Sequence, residues 1–483
     1  MCEVECKKLK CCYLNVCGLK KRLLSQDFNE ILVENDICIF VETKLNDLDI
    51  PKLPNGYSYI TKNRKNCKRV SGGIIVIYKT SLSNLLKFHD TESEFALWFQ
   101  ISKNMLSIES DILFGCIYIP PENSNYSTQE AFEEIENEMN ILSKREKCYV
   151  SLIGDFNSKT GSLADFVIPD ESIVRLFDLD GDSDMLNYMY DFEYLPQNGI
   201  SLQRVSKCSC RPNNYGHKLL DMCKRNNLYI VNSRLGSDKG IGEKTCNDSS
   251  VVDYLILSSK LFTIVEIFSI DDFNPLFSDC HNPIKFSLLS SKTNHPPVNN
   301  RAEGRNSFRR WDNNKKTEYT NLVHSDPNDI LTNVKDKLEE MSLSDISEIT
   351  QSDINEIVTE IGKNFTNLAN DTFGKISTGK KYFKHEDSKP WFNRKCSISR
   401  KKFHKARKRY SFLKNAENRR KMCAASKEHK ATLNKAFTDY QQKAAKELRD
   451  ISRKDPKALW KILNNLNNHQ NHEQNEDISL QVL

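Results

Sequence analysis

A chain of 483 residues with a formal net charge of +5, 38% hydrophobic and 28% charged, has length for two to four domains and too little net charge to act as a bulk polycation. No apolar run reaches the roughly 20 residues that a membrane-spanning helix needs. The segment after Met1 carries Cys2, Glu3 and Cys6 where a signal peptide would have an apolar core, so a nuclear or cytoplasmic protein with its 16 cysteines reduced is expected.

In chain order, strand-length apolar runs occur at Cys11–Asn15, Asp36–Val41, Gly73–Tyr78, Phe95–Ile101, Ile112–Ile119 and Cys148–Ile153. They resume at Leu228–Val231, Val251–Leu257, Phe262–Phe268 and Pro283–Leu288. Several are nearly continuous in apolarity, which implies burial on both faces. Between them, Thr128–Leu142 carries Phe132, Ile135, Met139 and Leu142 at helical spacing, with Ser127 and Glu130 forming a capping box. Tyr215–Asn226 carries Leu219, Leu220 and Cys223 on one stripe. Many strands with helices outside them predict two packed sheets sandwiched by helices over residues 8–290. Residues 291–306, rich in Asn, Pro and Ser, read as a linker. Residues 307–465 read as helical, with stripes at Ile330–Met341 and Ile346–Phe365 and a basic tract from Arg394 through Arg409 to Lys457. Residues 466–483 read as a disordered tail. Cys208 and Cys210 are too close together for a usual zinc knuckle, and no CxxC pair occurs.

Chemistry gathers where strands end. The first run delivers Asn15, the second Glu42, the fifth Tyr118 and the sixth Gly154-Asp155-Phe156-Asn157. Asp253 sits within the late run Val251–Leu257, and Ser278-Asp279-Cys280-His281 precedes the last. Phosphodiester hydrolysis needs a Lewis acid, an activated water and donors for the charged oxygens. Magnesium takes oxygen ligands, for which Glu42 and Asn15 are candidates. Asp155, helped by Asn157, is placed to orient or deprotonate water; His281 held by Asp253 is a base or phosphate ligand; Tyr118 is a phosphate donor. Taken singly, each residue has a bland reading, and Gly-Asp-Phe-Asn is as readily a turn. Their joint occurrence in this order favours the chemical reading.

These segments, with Leu14–Leu19, Val41–Leu45, Gly72-Gly73-Ile74, Ile117–Pro121 and Ser250–Tyr254, resemble the endonuclease/exonuclease/phosphatase superfamily. Within it the chain most resembles the endonuclease of non-LTR (LINE-type) retrotransposon polyproteins. The resemblance implies a DNase I-like four-layer α/β sandwich, two mixed sheets flanked by helices, that nicks DNA with Mg²⁺ (or Mn²⁺) and leaves a 3′-hydroxyl. It implies Glu42, Asn15 and Asp279 at the metal, Asp155, Asn157, Asp253, His281 and Tyr118 in catalysis, and Thr245 and Ser250 on the DNA-facing surface. The family's Ser-Asp-His is contiguous; here Cys280 intervenes, so either a local bulge brings His281 to the site or the loop register has shifted. Lys389–Asn393, the basic tract and Asp455–Lys461 resemble the region before the reverse transcriptase of these polyproteins, and no Phe/Tyr-x-Asp-Asp polymerase signature is present. The basic tract reads equally as a DNA- or RNA-binding face or as a solvated one, and Lys401–Arg409 as a weak nuclear localisation motif. Two alternatives stand beside the nickase: an inactive nucleic-acid-binding relic, and the same fold acting on another phosphodiester.

Overall fold

The computed structural model describes residues 8–454 apart from 65–70, 171–182, 291–314, 374–388, most of 325–371, and positions 107, 127 and 129. In chain order its strands are β1 (Lys8–Asn15), β2 (Ile37–Val41), β3 (Tyr57–Lys62), β4 (Ile74–Lys79), β5 (Leu86–His89) and β6 (Ala96–Ile101). They continue with β7 (Ile112–Tyr118), β8 (Tyr149–Asp155), β9 (Leu228–Ile230), β10 (Asp253–Ser258), β11 (Val265–Ile270) and β12 (Ile284–Leu289). One six-stranded sheet has the order β11-β12-β1-β2-β4-β3, the other β5-β6-β7-β8-β10-β9. Each is antiparallel except near its centre, where β1 and β2, and β7 and β8, run parallel.

The layers follow from strand alternation, because successive side chains leave a strand on opposite faces. From β1, Cys11 and Tyr13 enter the space between the sheets, while Cys12 and Leu14 face outward. Tyr13, Ile39 and Val76 of the first sheet thereby meet Phe99, Phe114, Ile153 and Leu255 of the second. Helix α1 (Gln26–Glu34) sets Phe28, Ile31 and Leu32 on the outer face of the first sheet. Helices α2 (Ala131–Glu146) and α3 (Asn214–Arg225) set Phe132, Ile135, Leu219 and Cys223 against Trp98, Leu152 and Ile256 of the second. The result is the expected four-layer α/β sandwich. Helix α2 begins three residues later than expected, and the capping residue Ser127 lies outside the described residues.

Two strands escaped the sequence reading. Both are edges: β3 is mostly half-exposed and β5 has four residues. An edge strand facing water needs no apolar alternation and is commonly kept polar or short. Phe262–Phe268, read as one strand, divides into a 3₁₀ turn (Ser259–Ile264) and the start of β11. Gly154 is required by strand spacing: a Cβ there would lie 2.1 Å from the carbonyl oxygen of Ile117 on β7.

Residues Asn294–Ser388 form a separate unit. It contains α4 (Lys316–His324), with the Tyr319 ring 5.5 Å from that of Phe373. The helical stripes expected at 330–341 and 346–365 fall mostly outside the described residues.

The basic tract forms a helical hairpin, α5 (Arg394–Phe412) and α6 (Ala416–Lys454), that packs in one compact unit with the sandwich. The Asn393 side chain caps α5 by accepting from the Lys395 and Cys396 amides. Phe403, Met422 and Ala425 close over Phe273 and Leu276, and Trp391 and Leu433 pack beside Leu24. Arg400 donates to both oxygens of buried Asp27 at 3.2 Å each, and His404 Nε2 lies 3.0 Å from the same carboxylate. Part of the basic charge is thus committed to docking the hairpin.

His429 of α6 is fully buried, its Nδ1 2.7 Å from Ser399 Oγ of α5, and burial holds its imidazole down at about 4. An unfolded histidine titrates near 6.5, so between these values the unfolded chain binds a proton that the folded one does not. The folded hairpin must therefore lose stability as pH falls from about 6.5 to about 4. The expected outcome is that the apparent Tm drops over this window in the native chain and drops less in His429→Gln, measured by thermal melts at each pH.

Candidate active site

Both parallel strand pairs end at the same edge of the sandwich. β1 ends in Asn15, Glu42 follows β2, β7 ends in Tyr118 and β8 in Asp155. β10 runs antiparallel to β8 in a register that sets Asp253 opposite Asp155. The backbone is strained along this edge: Cys17, Glu42, Lys44 and Asn157 all have φ between 49° and 54°. Left-handed backbone at residues other than glycine is stored strain of the kind that collects at functional sites. Gly72 and Gly73 accommodate it, because their carbonyls accept the amides of Lys44 and Thr43 and a Cβ on Gly73 would lie 2.5 Å from Thr43 Oγ1.

Asp155 and Asp253 are 2% and 0% exposed. The Asp155 carboxylate accepts from Asn15 Nδ2 at 2.9 Å and from the Asn157 amide at 3.0 Å. Burial and the adjacent Asp253 nevertheless push its carboxyl up to about 7. Asp253 accepts from the Tyr13 hydroxyl at 2.8 Å and from His281 Nδ1 at 2.9 Å. Burial opposes a charge on His281, but the Asp253 carboxylate outweighs it and holds the imidazole well above its ordinary range. His281 Nε2 then faces Asp155 Oδ2 at 3.7 Å. One donor atom from each of Asp155, Asp253 and His281 lies within 4.8 Å of the others.

Cys280 does not exclude His281 from this group. The Ser278 hydroxyl accepts from both the Cys280 and His281 amides, at 3.4 and 3.1 Å, and turns the longer loop inward. Asn157 is anchored by its Nδ2, which donates to the Ile119 carbonyl at 2.8 Å. Tyr118 is buried; burial, Glu42 and Asp155 together raise its hydroxyl above the ordinary range. Glu42 pairs with half-exposed Lys44 at 2.8 Å.

Three expected residues sit elsewhere. Asp279 turns away to Arg22 Nη2 at 2.9 Å and Lys430 Nζ at 3.1 Å. Burial works against its charge, yet these cations hold its carboxyl below the usual range. Thr245 and Ser250, expected on a DNA-facing surface, are buried, at 0% and 8% exposure. The Thr245 hydroxyl accepts from the amides of Val252 and Asp253, so it supports the carboxylate strand from within. Conversely, the sequence reading missed Tyr13. Its signal was available: a tyrosine among aliphatic inward positions must find a partner for its hydroxyl.

No protein-family model matches the chain, and no curated protein matches it. Solved structures do. An AP endonuclease, LMAP, from Leishmania major is 14% identical, covering 59% of this chain and 88% of that one, with a TM-score of 0.41. The catalytic domain of Xenopus laevis APE2 is 14% identical over 58% of this chain and 92% of that one, TM-score 0.41. The endonuclease domain of TRAS1, a telomere-specific non-LTR retrotransposon, is 12% identical over 58% and 98%, TM-score 0.36.

Asn15 and Glu42 suit a hard divalent cation in donor chemistry, since both offer oxygen and neither is buried against a fixed cation. Among the described residues, the Asn15 Oδ1 accepts from the neutral groups of Cys17, its amide at 3.1 Å and its thiol at 3.5 Å. The partner of Glu42, Lys44, is a flexible and half-exposed side chain. Asp279 does not fit, being already neutralised.

Tyr13 is the donor that reaches Asp253 from the opposite sheet. Tyr13→Phe leaves the ring packing intact and strips one partner from a buried carboxylate, at a cost of about 1–3 kcal/mol. The expected outcome is a lower urea midpoint with an unchanged slope; an unchanged midpoint would show the bond to be dispensable.

Proposed function

We propose that this edge hydrolyses phosphodiester bonds in DNA, nicking one strand and leaving a 3′-hydroxyl, as the endonucleases of LINE-type retroelements do. The observation that carries the reading is the burial of Asp155, Asp253 and His281 side by side, with donor atoms within 4.8 Å. Buried, crowded charge is costly, and a fold retains it most readily where it is used.

Each side chain has a task that its contacts favour. Asp155, whose carboxyl is raised to about 7, accepts a proton from the attacking water. Asn157 and Asn15 each donate to Asp155 and fix its direction. His281, kept charged by Asp253, presents Nε2–H to a phosphate oxygen, and the Tyr118 hydroxyl donates to another. Glu42 and Asn15 would hold Mg²⁺, or Mn²⁺ in its place, which when bound supplies Lewis-acid stabilisation of the phosphate charge. On α5, exposed Lys401, Lys405, Arg407, Lys408 and Arg409 offer a further phosphate-binding face for DNA or RNA.

The test is conversion of supercoiled plasmid to nicked circles in Mg²⁺. The native chain is expected to nick, EDTA to stop it, and Glu42→Ala, Asp155→Asn and His281→Ala each to lose on the order of 100-fold or more in rate. Extension of the nick by a DNA polymerase checks for the 3′-hydroxyl. Native protein that binds plasmid but leaves it supercoiled ends this reading in favour of the inactive binding protein.

A further inference from the structure

The same loop that carries His281 carries a second kind of chemistry. Cys17 Sγ lies 3.9 Å from Cys280 Sγ, and Cys246 Sγ lies 3.6 Å from His281 Nε2. Cys246 and Cys280 also act on each other electrostatically. One donor atom from each of Cys17, Cys280 and His281 lies within 4.8 Å of the others. None of these three thiols is needed for the hydrolysis described above. All three are partly buried.

We propose that Cys17, Cys280 and His281, completed by Cys246, form a binding site for a soft divalent cation of the zinc class, and that its occupancy blocks the active edge. The blocking consequence rests on the proposed function; the binding does not.

Three observations carry the proposal. The first is spacing. With Zn–S bonds of about 2.3 Å and Zn–N bonds of about 2.0 Å, a tetrahedron has S···S edges of about 3.8 Å and S···N edges of about 3.5 Å. The Cys17–Cys280 edge of 3.9 Å and the Cys246–His281 edge of 3.6 Å are close to these values, and the Cys17, Cys280 and His281 donor atoms, all within 4.8 Å of one another, would draw in on binding, with Cys246 approaching from the His281 side. The second is the histidine's orientation. A zinc-binding imidazole usually gives its other nitrogen to a carboxylate, which fixes the ring and raises its basicity. Asp253 holds Nδ1 in this way at 2.9 Å, leaving Nε2 toward the thiols. The third is ligand hardness. Thiolate and imidazole select a soft cation, whereas Asn15 and Glu42 on the other side offer only oxygen. The two sites therefore sort different metals. Binding releases the ligand thiol protons and the Nε2 proton to solvent, and it removes Nε2–H from the group that would meet the phosphate.

The experiment uses the full chain, reduced and stripped of metal, titrated with Co²⁺ as a spectroscopic stand-in for Zn²⁺. One equivalent is expected to produce thiolate-to-cobalt charge-transfer absorption and intense tetrahedral d–d bands, both bleached by Zn²⁺. Cys17→Ser and Cys280→Ser should each lose these bands and weaken zinc binding by at least about 100-fold against a chromophoric chelator. Cys148→Ser, altered on the far strand end, should keep both. Metal-free melts of the serine variants that match the native chain exclude misfolding as the cause. In plasmid nicking with excess Mg²⁺, stoichiometric Zn²⁺ should cut the native rate at least tenfold, and Cys280→Ser should be insensitive. Absence of tetrahedral bands, or bands that survive in Cys17→Ser and Cys280→Ser, overturns the site. Tetrahedral bands with zinc-insensitive nicking overturn the blocking role alone. Tetrahedral bands in a chain that never nicks leave the site standing and count against the proposed hydrolysis.

Discussion

Two carboxylates face each other across the β8–β10 ladder with almost no access to water. An ionised carboxylate left unpaired in such surroundings costs several kcal/mol, so everything around the pair must supply donors. Those donors come from far apart in the chain. Tyr13 and Asn15 arrive on β1 of the opposite sheet, His281 on the loop before β12, Asn157 from the turn after β8, and Thr245 fixes the Asp253 backbone. The constraint explains why β1 lies centrally in its sheet, between β12 and β2, with its end against the second sheet. The polar cluster is a seam that holds the two sheets in one relative position, and the apolar layer between them supplies the bulk of the contact.

The interior strands were legible because they are buried on both faces and read as near-continuous apolar runs. The edges were not, because β3 and β5 answer to solvent on one side and to a single neighbour on the other. The 3₁₀ turn within Phe262–Phe268 was hidden for a related reason: periodicity alone does not separate short buried segments of different type. The packing of α5 and α6 on the sandwich was beyond the sequence pattern. It depends on Asp27, a buried acid on a distant helix whose partner, Arg400, lies among many similar cations.

At the site, strand ends led to side chains that the fold brings together: Asn15, Asp155, Asp253 and His281 are joined by contacts, and Glu42 and Tyr118 lie at neighbouring strand ends. The guide failed for groups whose neighbours are set by tertiary contact. Asp279 lies two residues before His281, yet it points the other way because Arg22 and Lys430 wait there. Thr245 and Ser250 were placed by analogy of position, and the local turn at Cys246–Ser250 draws them inward. Nothing in their spacing along the chain joins Cys17 to Cys280, and only the folding together of β1 and the His281 loop brings their sulfurs into contact.

The Lys430–Asp279 bridge spans 151 residues of sequence and closes on the loop that carries His281. On the ribosome, the sandwich strands emerge long before α6 does. Of the two cations on Asp279, Arg22 is therefore available first, and the His281 loop is clamped from outside only once the hairpin has been made and docked. The nascent chain thus passes through an interval in which its sheets can be complete while this loop lacks its last tether, and the length of that interval is set by translation speed and not by the stability of the core.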